Sequence, residues 1–140
     1  HTSSLFKVNT NSKDSIKPKK IKNNQKSDLN LDFNKKIKVN TITLDEFYRS
    51  NKLDKIDLLK IDVQGAESLV IEGAKLFLKN TKVILVEVAF FDYYENSNEI
   101  YDIEKDLIPL GFSLYSIIDI SYNPMNGRTD WAELLYLKKS

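Results

Sequence analysis

The chain has 140 residues, with 21 Lys plus Arg against 20 Asp plus Glu, no cysteine and a hydrophobic fraction of 41%. This length suits one soluble domain, because it supports one sizeable core but not two. The lack of cysteine in the sequence excludes disulfide scaffolds, Cys-ligated metal sites and thiol nucleophiles. The longest apolar run, Val83 to Phe91, is too short to span a bilayer. We therefore expect no membrane span and a cytoplasmic location.

The net charge of +1 averages two unlike parts of the chain. Residues 1–40 hold 10 Lys and 3 Asp, which gives +7, whereas residues 41–140 hold 11 Lys plus Arg against 17 Asp plus Glu, which gives −6. The basic run from Lys17 to Lys26 has no aromatic residue that could stack on bases, so we expect no nucleic-acid partner. Residues 1–35 are predicted to form a basic connecting segment that is loop-like or partly disordered.

From residue 36 onward, apolar patterns typical of strands alternate with patterns typical of helices. We predict a strand over 36–42, then a helix over about 43–51 that begins with a capping box of Thr43 and Glu46. The further predicted elements are a strand over 56–61, a helix after Gly65, a strand over 82–88, a helix capped near Asn96 to Asn98, and strands over 112–118 and 131–137. Strands that alternate with helices need crossover connections, which predicts an α/β fold with a mostly parallel sheet and a C-terminal antiparallel hairpin.

Ligands of open α/β sheets bind beyond the carboxyl ends of the parallel strands. This rule selects the Asp62 to Gly65 turn, Glu87 with the aromatic residues that follow it, and a long hairpin loop from Ser121 to Trp131. Asp62 could accept a hydroxyl proton or hold a cation, or it could cap the helix that follows. Glu67 has a similar pair of interpretations, because an acidic residue also suits the positive end of a helix.

Glu87 interrupts an apolar strand, where a charge is costly unless it is paired or lies at the mouth of a site. The aromatic residues Phe90, Phe91, Tyr93 and Tyr94 either form a wall for a sugar or cofactor ring or pack into the core. His1 is the sole histidine, which excludes a Ser-His-Asp triad within this sequence. Its four glycines form neither a dinucleotide-binding loop nor a Walker A loop.

Several segments, in this order, resemble the second half of the FkbM-type S-adenosylmethionine-dependent methyltransferases. They are Thr43-Leu-Asp-Glu-Phe47, Ile56-Asp-Leu-Leu-Lys-Ile-Asp-Val-Gln-Gly-Ala-Glu67, Ile84-Leu-Val-Glu-Val88 and Leu110-Gly-Phe112. The resemblance implies that residues 36–140 are the C-terminal part of a Rossmann-like methyltransferase domain. It further implies that the family's first strand and Gly-rich donor loop precede residue 1, so we expect the chain alone to be inactive and one flank of its sheet to be an open edge.

The resemblance also implies S-adenosylmethionine as the methyl donor and a small molecule or glycan as the acceptor, with methylation of a sugar, glycan or secondary-metabolite hydroxyl. The implied site residues are Asp62 as the catalytic residue, Asp62, Val63, Gln64 and Gly65 for the donor, and Glu67, Glu87, Tyr93 and Tyr94 for the acceptor. No metal ligand is assigned, although Mg²⁺ held by carboxylates stays an open variant. The alternative function is a non-catalytic α/β binding module that has lost donor binding. The sequence leaves the oligomeric state open.

Overall fold

The computed structural model describes residues 4–9, 36–91, 93–95, 97 and 99–139. Within them the chain forms an α/β fold with one four-stranded sheet. The elements in chain order are α1 (Leu44–Ser50), β1 (Ile56–Ile61), α2 (Glu67–Glu72), α3 (Lys75–Lys79), β2 (Thr81–Ala89), α4 (Ile100–Leu107), a short 3-10 helix (Ile108–Leu110), β3 (Phe112–Tyr122) and β4 (Thr129–Lys138). Most of the predicted basic segment, residues 10–35, lies outside the described residues.

The sheet is mixed, so the prediction of a mostly parallel sheet is wrong. Its strand order is β1-β2-β4-β3, in which β1 and β2 pair in parallel while β4 pairs antiparallel with both β2 and β3. The reason is that the last strand inserts between β2 and β3 and so separates two strands that run in the same direction. The predicted C-terminal hairpin is confirmed, with a loop at 123–128 that is shorter than expected because both strands extend further.

The core lies between the helices and one face of the sheet. On β2 the alternate residues Ile84, Val86 and Val88 are buried, as the strand period of two requires. They pack in one cluster with buried side chains from the helices and the neighbouring strands, including Ile61, Ile71, Phe77, Leu78, Ile103, Leu107, Leu134 and Tyr136. The opposite face of the sheet is only partly covered by the described residues, and it holds the charged side chains discussed below.

The strand predicted over 36–42 is wrong. Residues 36–43 have no regular secondary structure, and their apolar side chains are exposed, with Ile37 at 74% and Val39 at 64%. A strand needs a neighbour to bond its backbone, and none of the described strands pairs with this segment. The alternating pattern alone therefore could not determine the structure here.

The structure has two short helices, α2 and α3, where a single helix is predicted after Gly65. The start of α1 packs against the break between them. The Gly73 carbonyl accepts a hydrogen bond from the Asp45 N–H at 3.0 Å, and the Asp45 carboxylate accepts one from the Phe77 N–H at 2.8 Å. A Cβ atom at Gly73 would lie 3.3 Å from the Thr43 side chain, so the two segments pack closely. Thr43 also accepts a hydrogen bond from the Glu46 N–H, which confirms the Thr43 half of the predicted capping box of α1. Asp45 thus supplies a cap to α3 from a distant part of the sequence.

Helix α4 begins after Glu99 rather than within the predicted Asn96 to Asn98 cap, of which Asn96 and Asn98 lie outside the described residues. The Asp102 carboxylate accepts a hydrogen bond from the Glu99 N–H at 3.2 Å. No helix of the described ranges is both long and apolar enough to cross a membrane.

Candidate functional site

One end of the sheet brings together the carboxyl ends of β1, β2 and β3 with the start of β4. Antiparallel pairing sets Ala89, the last residue of β2, opposite Trp131 near the start of β4. An N-terminal segment, residues 4–9, crosses this end and forms an antiparallel bridge between Val8 and Tyr94. The Asn9 N–H donates to the Tyr93 carbonyl at 2.9 Å, which holds the segment against the loop that follows β2.

Four charged side chains form a row on the sheet face opposite the helices. Lys60 and Asp62 flank the buried Ile61, and strand alternation turns them away from the core. Glu87 lies directly opposite Glu133 in the β2–β4 pairing, which continues the row across the sheet. Lys60 Nζ lies 2.8 Å from Glu133 Oε1 and 3.8 Å from Asp62 Oδ2. We call Lys60, Asp62, Glu87 and Glu133 the charged row.

Gln64 connects this row to the aromatic loop. Its Nε2 donates to Asp62 Oδ1 at 2.9 Å and to Glu87 Oε1 at 3.2 Å, while the Tyr94 hydroxyl donates to its Oε1 at 3.0 Å. The Ser4 hydroxyl donates to the Gln64 carbonyl at 2.6 Å. The Gln64 side chain therefore joins the ends of two parallel strands and the loop after β2, while its backbone carbonyl bonds to the N-terminal segment.

Glu67 is buried, with 5% of its surface exposed, and its carboxylate faces the turn that precedes α2. Oε1 accepts hydrogen bonds from the N–H groups of Val63 and Gly65, both at 3.1 Å. Glu67 thereby stabilises the turn that carries Gln64. The predicted acceptor-binding role of Glu67 stays a prediction, and the observed bonds give its carboxylate a structural role in the turn before α2.

Gly65 occupies a position that other residues would fit poorly. Its φ angle of +99° is one that side-chain-bearing residues rarely adopt. An added Cβ would lie 3.2 Å from Ser97 Cβ and 3.3 Å from Tyr94 Cδ2, with Phe6 Cδ2 at 3.6 Å. Gly65 thus allows the turn, the aromatic loop and the N-terminal segment to pack closely.

The aromatic residues after β2 divide into two groups. The rings of Phe91 and Tyr93 have centroids 3.8 Å apart, and the Arg128 guanidinium lies 4.0 Å from the centroid of Phe91. Arg128 also lies 3.6 Å from the carboxylate of the buried Asp130. Tyr94 instead directs its hydroxyl to Gln64, which places it beside the charged row.

Burial and the neighbouring Asp62 charge raise the pKa of Glu87, while the hydrogen bond from Gln64 acts in the opposite direction. The Glu133 hydrogen bond and charge raise the pKa of Lys60, so this residue stays a cation. Within the described ranges, no group of three or more His, Cys, Asp or Glu side chains is arranged to hold a metal ion. The site therefore combines an excess of carboxylates with one fixed cation.

The structure brings Asp62, Gln64, Glu87 and Tyr94 into one hydrogen-bonded group, whereas Tyr93 belongs to the aromatic stack with Arg128. Sequence reasoning missed Ser4, and it selected the loop from Ser121 to Trp131 without singling out Arg128. No local pattern indicates Ser4, because its contact lies 60 positions away along the chain. Arg128 could have been singled out by extending the predicted last strand toward its N-terminus, until its first residues lay beside the end of β2.

The family model described as "Methyltransferase FkbM domain" matches residues 2–114. The 2-O-methyltransferase NoeI of Sinorhizobium fredii is 40% identical over 77 residues, which are 55% of this chain and 31% of that protein. The matched region thus spans about a third of the length of this relative. No solved structure matches the chain significantly.

Proposed function

The chain belongs to the FkbM methyltransferase domain family, and from this premise we propose that it takes part in S-adenosylmethionine-dependent methylation of a hydroxyl on a sugar, glycan or secondary metabolite. The observation that carries the proposal is the carboxylate group of Asp62 and Glu87 at the carboxyl ends of two parallel strands, where ligands of such sheets bind. We further propose that the described strands belong to a Rossmann-like domain.

The charge of the site suits a cationic donor. S-adenosylmethionine supplies an electrophilic methyl group on a positively charged sulfur. The charged row holds one cation, Lys60, and three carboxylates, Asp62, Glu87 and Glu133. Its net charge is therefore negative when the carboxylates are ionised. Because the Val63 and Gly65 amides already donate to Glu67, the Asp62 side chain is the group of this turn best placed to reach a ligand.

Asp62 is suited to act on the acceptor hydroxyl. Its side chain is 36% exposed, and only Oδ1 is engaged by Gln64, while Oδ2 lies 3.8 Å from Lys60. In the proposed reaction the hydroxyl oxygen forms a bond to the methyl carbon as the carbon–sulfur bond breaks. The hydroxyl proton passes to Asp62 Oδ2, so that charge and atoms balance. Much of the rate then comes from holding the hydroxyl in line with the methyl group.

The acceptor is proposed to lie beside Glu87, Tyr93 and Tyr94. Carboxylates and aromatic rings at one strand end suit a polyhydroxylated molecule, since the former accept hydrogen bonds from hydroxyl groups and the latter contact its apolar faces. The relative from Sinorhizobium fredii is named a 2-O-methyltransferase, which supports oxygen as the methylated atom.

The test measures transfer of a radiolabelled methyl group to a panel of glycans by the full-length protein. We expect Asp62→Asn to lower kcat by about a hundredfold or more, within the range for removal of a general base. Asp57→Asn is the matched control, because Asp57 is an exposed carboxylate on β1, the strand that Asp62 follows, and it pairs with Lys82. Equal activity of the two variants would refute the role of Asp62, and failure of the wild type to bind the donor in calorimetry would favour a non-catalytic binding module.

A further inference from the structure

Gln64 is held in place from both sides of its backbone. It has a φ angle of +57°, in the left-handed region that a non-glycine residue occupies only when its surroundings favour it. The amides of both flanking residues donate to the buried Glu67, and the Ser4 hydroxyl donates to the Gln64 carbonyl. The turn therefore directs the Gln64 side chain toward the charged row in a fixed orientation.

The Gln64 amide is held at both ends, by Tyr94 at Oε1 and by two carboxylates at Nε2. The Tyr94 hydroxyl donates to Oε1 at 3.0 Å, and this leaves the two N–H bonds of Nε2 for Asp62 at 2.9 Å and Glu87 at 3.2 Å. The reverse orientation would bring Oε1 against two carboxylates, which only accept hydrogen bonds, and would lose both bonds to Asp62 and Glu87. The Gln64 amide thus donates one hydrogen bond to Asp62, after β1, and one to Glu87, near the end of β2.

Glu87 is surrounded mainly by negative charge. Three acidic residues lie near it: Asp62 after β1, Glu67 in α2 and Glu133 in β4. The nearby cation, Lys60, forms an ion pair with Glu133 and lies 3.8 Å from Asp62. The neighbouring carboxylates oppose ionisation of Glu87, and a hydrogen bond from a neutral donor offsets part of that effect. Gln64 supplies such a donor.

We propose that Gln64 is the positioning residue of this site: held at Oε1 by Tyr94, it fixes Asp62 through Oδ1 and leaves Oδ2 to take the proton of the acceptor hydroxyl. The inference rests on the proposed function for its catalytic consequence. The hold of Gln64 on the two carboxylates does not depend on methyl transfer, and it is tested separately.

The first test is an NMR titration of carboxyl-labelled protein, which follows the Asp62 and Glu87 resonances in the 140-residue chain. Gln64→Met removes the amide at similar side-chain length, so Glu87 loses the hydrogen bond that lowers its pKa. We expect the titration midpoint of Glu87 to rise, and Tyr94→Phe to move it less in the same direction. Lys52→Met is the matched control, because Lys52 is exposed and also has a positive φ angle, of +51°. An unchanged Glu87 midpoint in Gln64→Met overturns the proposal.

The second test is the pH profile of kcat/KM in the full-length protein. For Gln64→Met we expect kcat to fall about tenfold or more, with little change in the KM for the donor, because the base is misplaced rather than removed. The acid limb of the profile is expected to move to higher pH, whereas Lys52→Met leaves both quantities near the wild-type values. A lower kcat with an unmoved acid limb would indicate a merely structural role and would overturn the proposal. A shifted NMR midpoint without any methyl transfer by the wild type would support the hold on the carboxylates and refute the proposed function alone.

Discussion

Replacement of Glu67 by alanine is expected to destabilise the fold, because it removes the acceptor for two backbone donors. The Gly65 N–H is buried and the Val63 N–H is partly buried, and both bond to Glu67 Oε1 at 3.1 Å. A buried donor left without a partner costs about 1–3 kcal/mol, and a partly buried one costs less because water can reach it. The sum predicts a loss of about 3 kcal/mol in the free energy of unfolding, a large part of the ~5–15 kcal/mol typical of a domain.

The assay is urea unfolding followed by circular dichroism, with the free energy taken by linear extrapolation. Glu67→Gln keeps an oxygen acceptor and loses the charge, so we expect about 1 kcal/mol. Glu72→Ala is the control, since Glu72 is exposed at the end of the same helix, and its cost is expected to stay within about 0.5 kcal/mol. A Glu67→Ala variant as stable as Glu72→Ala would show that the turn does not depend on this carboxylate, and it would return Glu67 to the acceptor-binding hypothesis.

Three further predictions concern the cap of α3, the turn at Gly65 and the half-buried carboxylate of Glu87. Asp45→Ala should cost about 1 kcal/mol in urea unfolding through the lost cap of α3, whereas Glu46→Ala should cost little. Gly65→Ala should cost about 2 kcal/mol more than Gly111→Ala, because φ is positive at both, at +99° and +87°, but only the first is crowded. Glu87→Gln should stabilise the protein near neutral pH, and this gain should disappear in acid, because the folded state raises the pKa of Glu87 and so loses stability as pH rises through it.

Each of these has an outcome that contradicts it. Equal losses for the two alanine variants at Asp45 and Glu46 would show that the cap contributes no measurable stability. Equal losses at Gly65 and Gly111 would mean that backbone strain alone matters and that the close packing relaxes. A stability difference for Glu87→Gln that does not change between pH 3 and pH 8 would show that the charge of Glu87 has no cost in the fold.

The strands and helices with strong local patterns were predictable. The helix that contains Ile103 and Leu107 follows from apolar periodicity, since both side chains are buried on one face. The strand at 56–61 follows from a compact apolar run, of which Ile61 is buried. The break at Gly73 was not predictable from the helical stripe. It depends on Asp45, whose carboxylate reaches α3 across 32 positions of sequence.

The candidate site shows the same division. Asp62 and Glu87 were selected because residues after parallel strands converge at one end of a sheet, and they do meet through Gln64. The sequence could not show that Gln64 joins them, because its orientation depends on a left-handed backbone and on Tyr94. Glu67 looked like a possible ligand contact, yet its carboxylate bonds to the backbone of the turn.

By itself the sequence determined that this is an α/β protein, that its family resemblance is to the FkbM methyltransferases, and that its acidic residues gather at strand ends. These properties depend on local periodicity and on short motifs, which involve residues close together in the sequence. Only the tertiary structure decided that β4 enters between β2 and β3, and that Gln64 stands between two carboxylates under the N-terminal segment. Both depend on contacts between residues far apart in sequence, whose energies no local pattern contains.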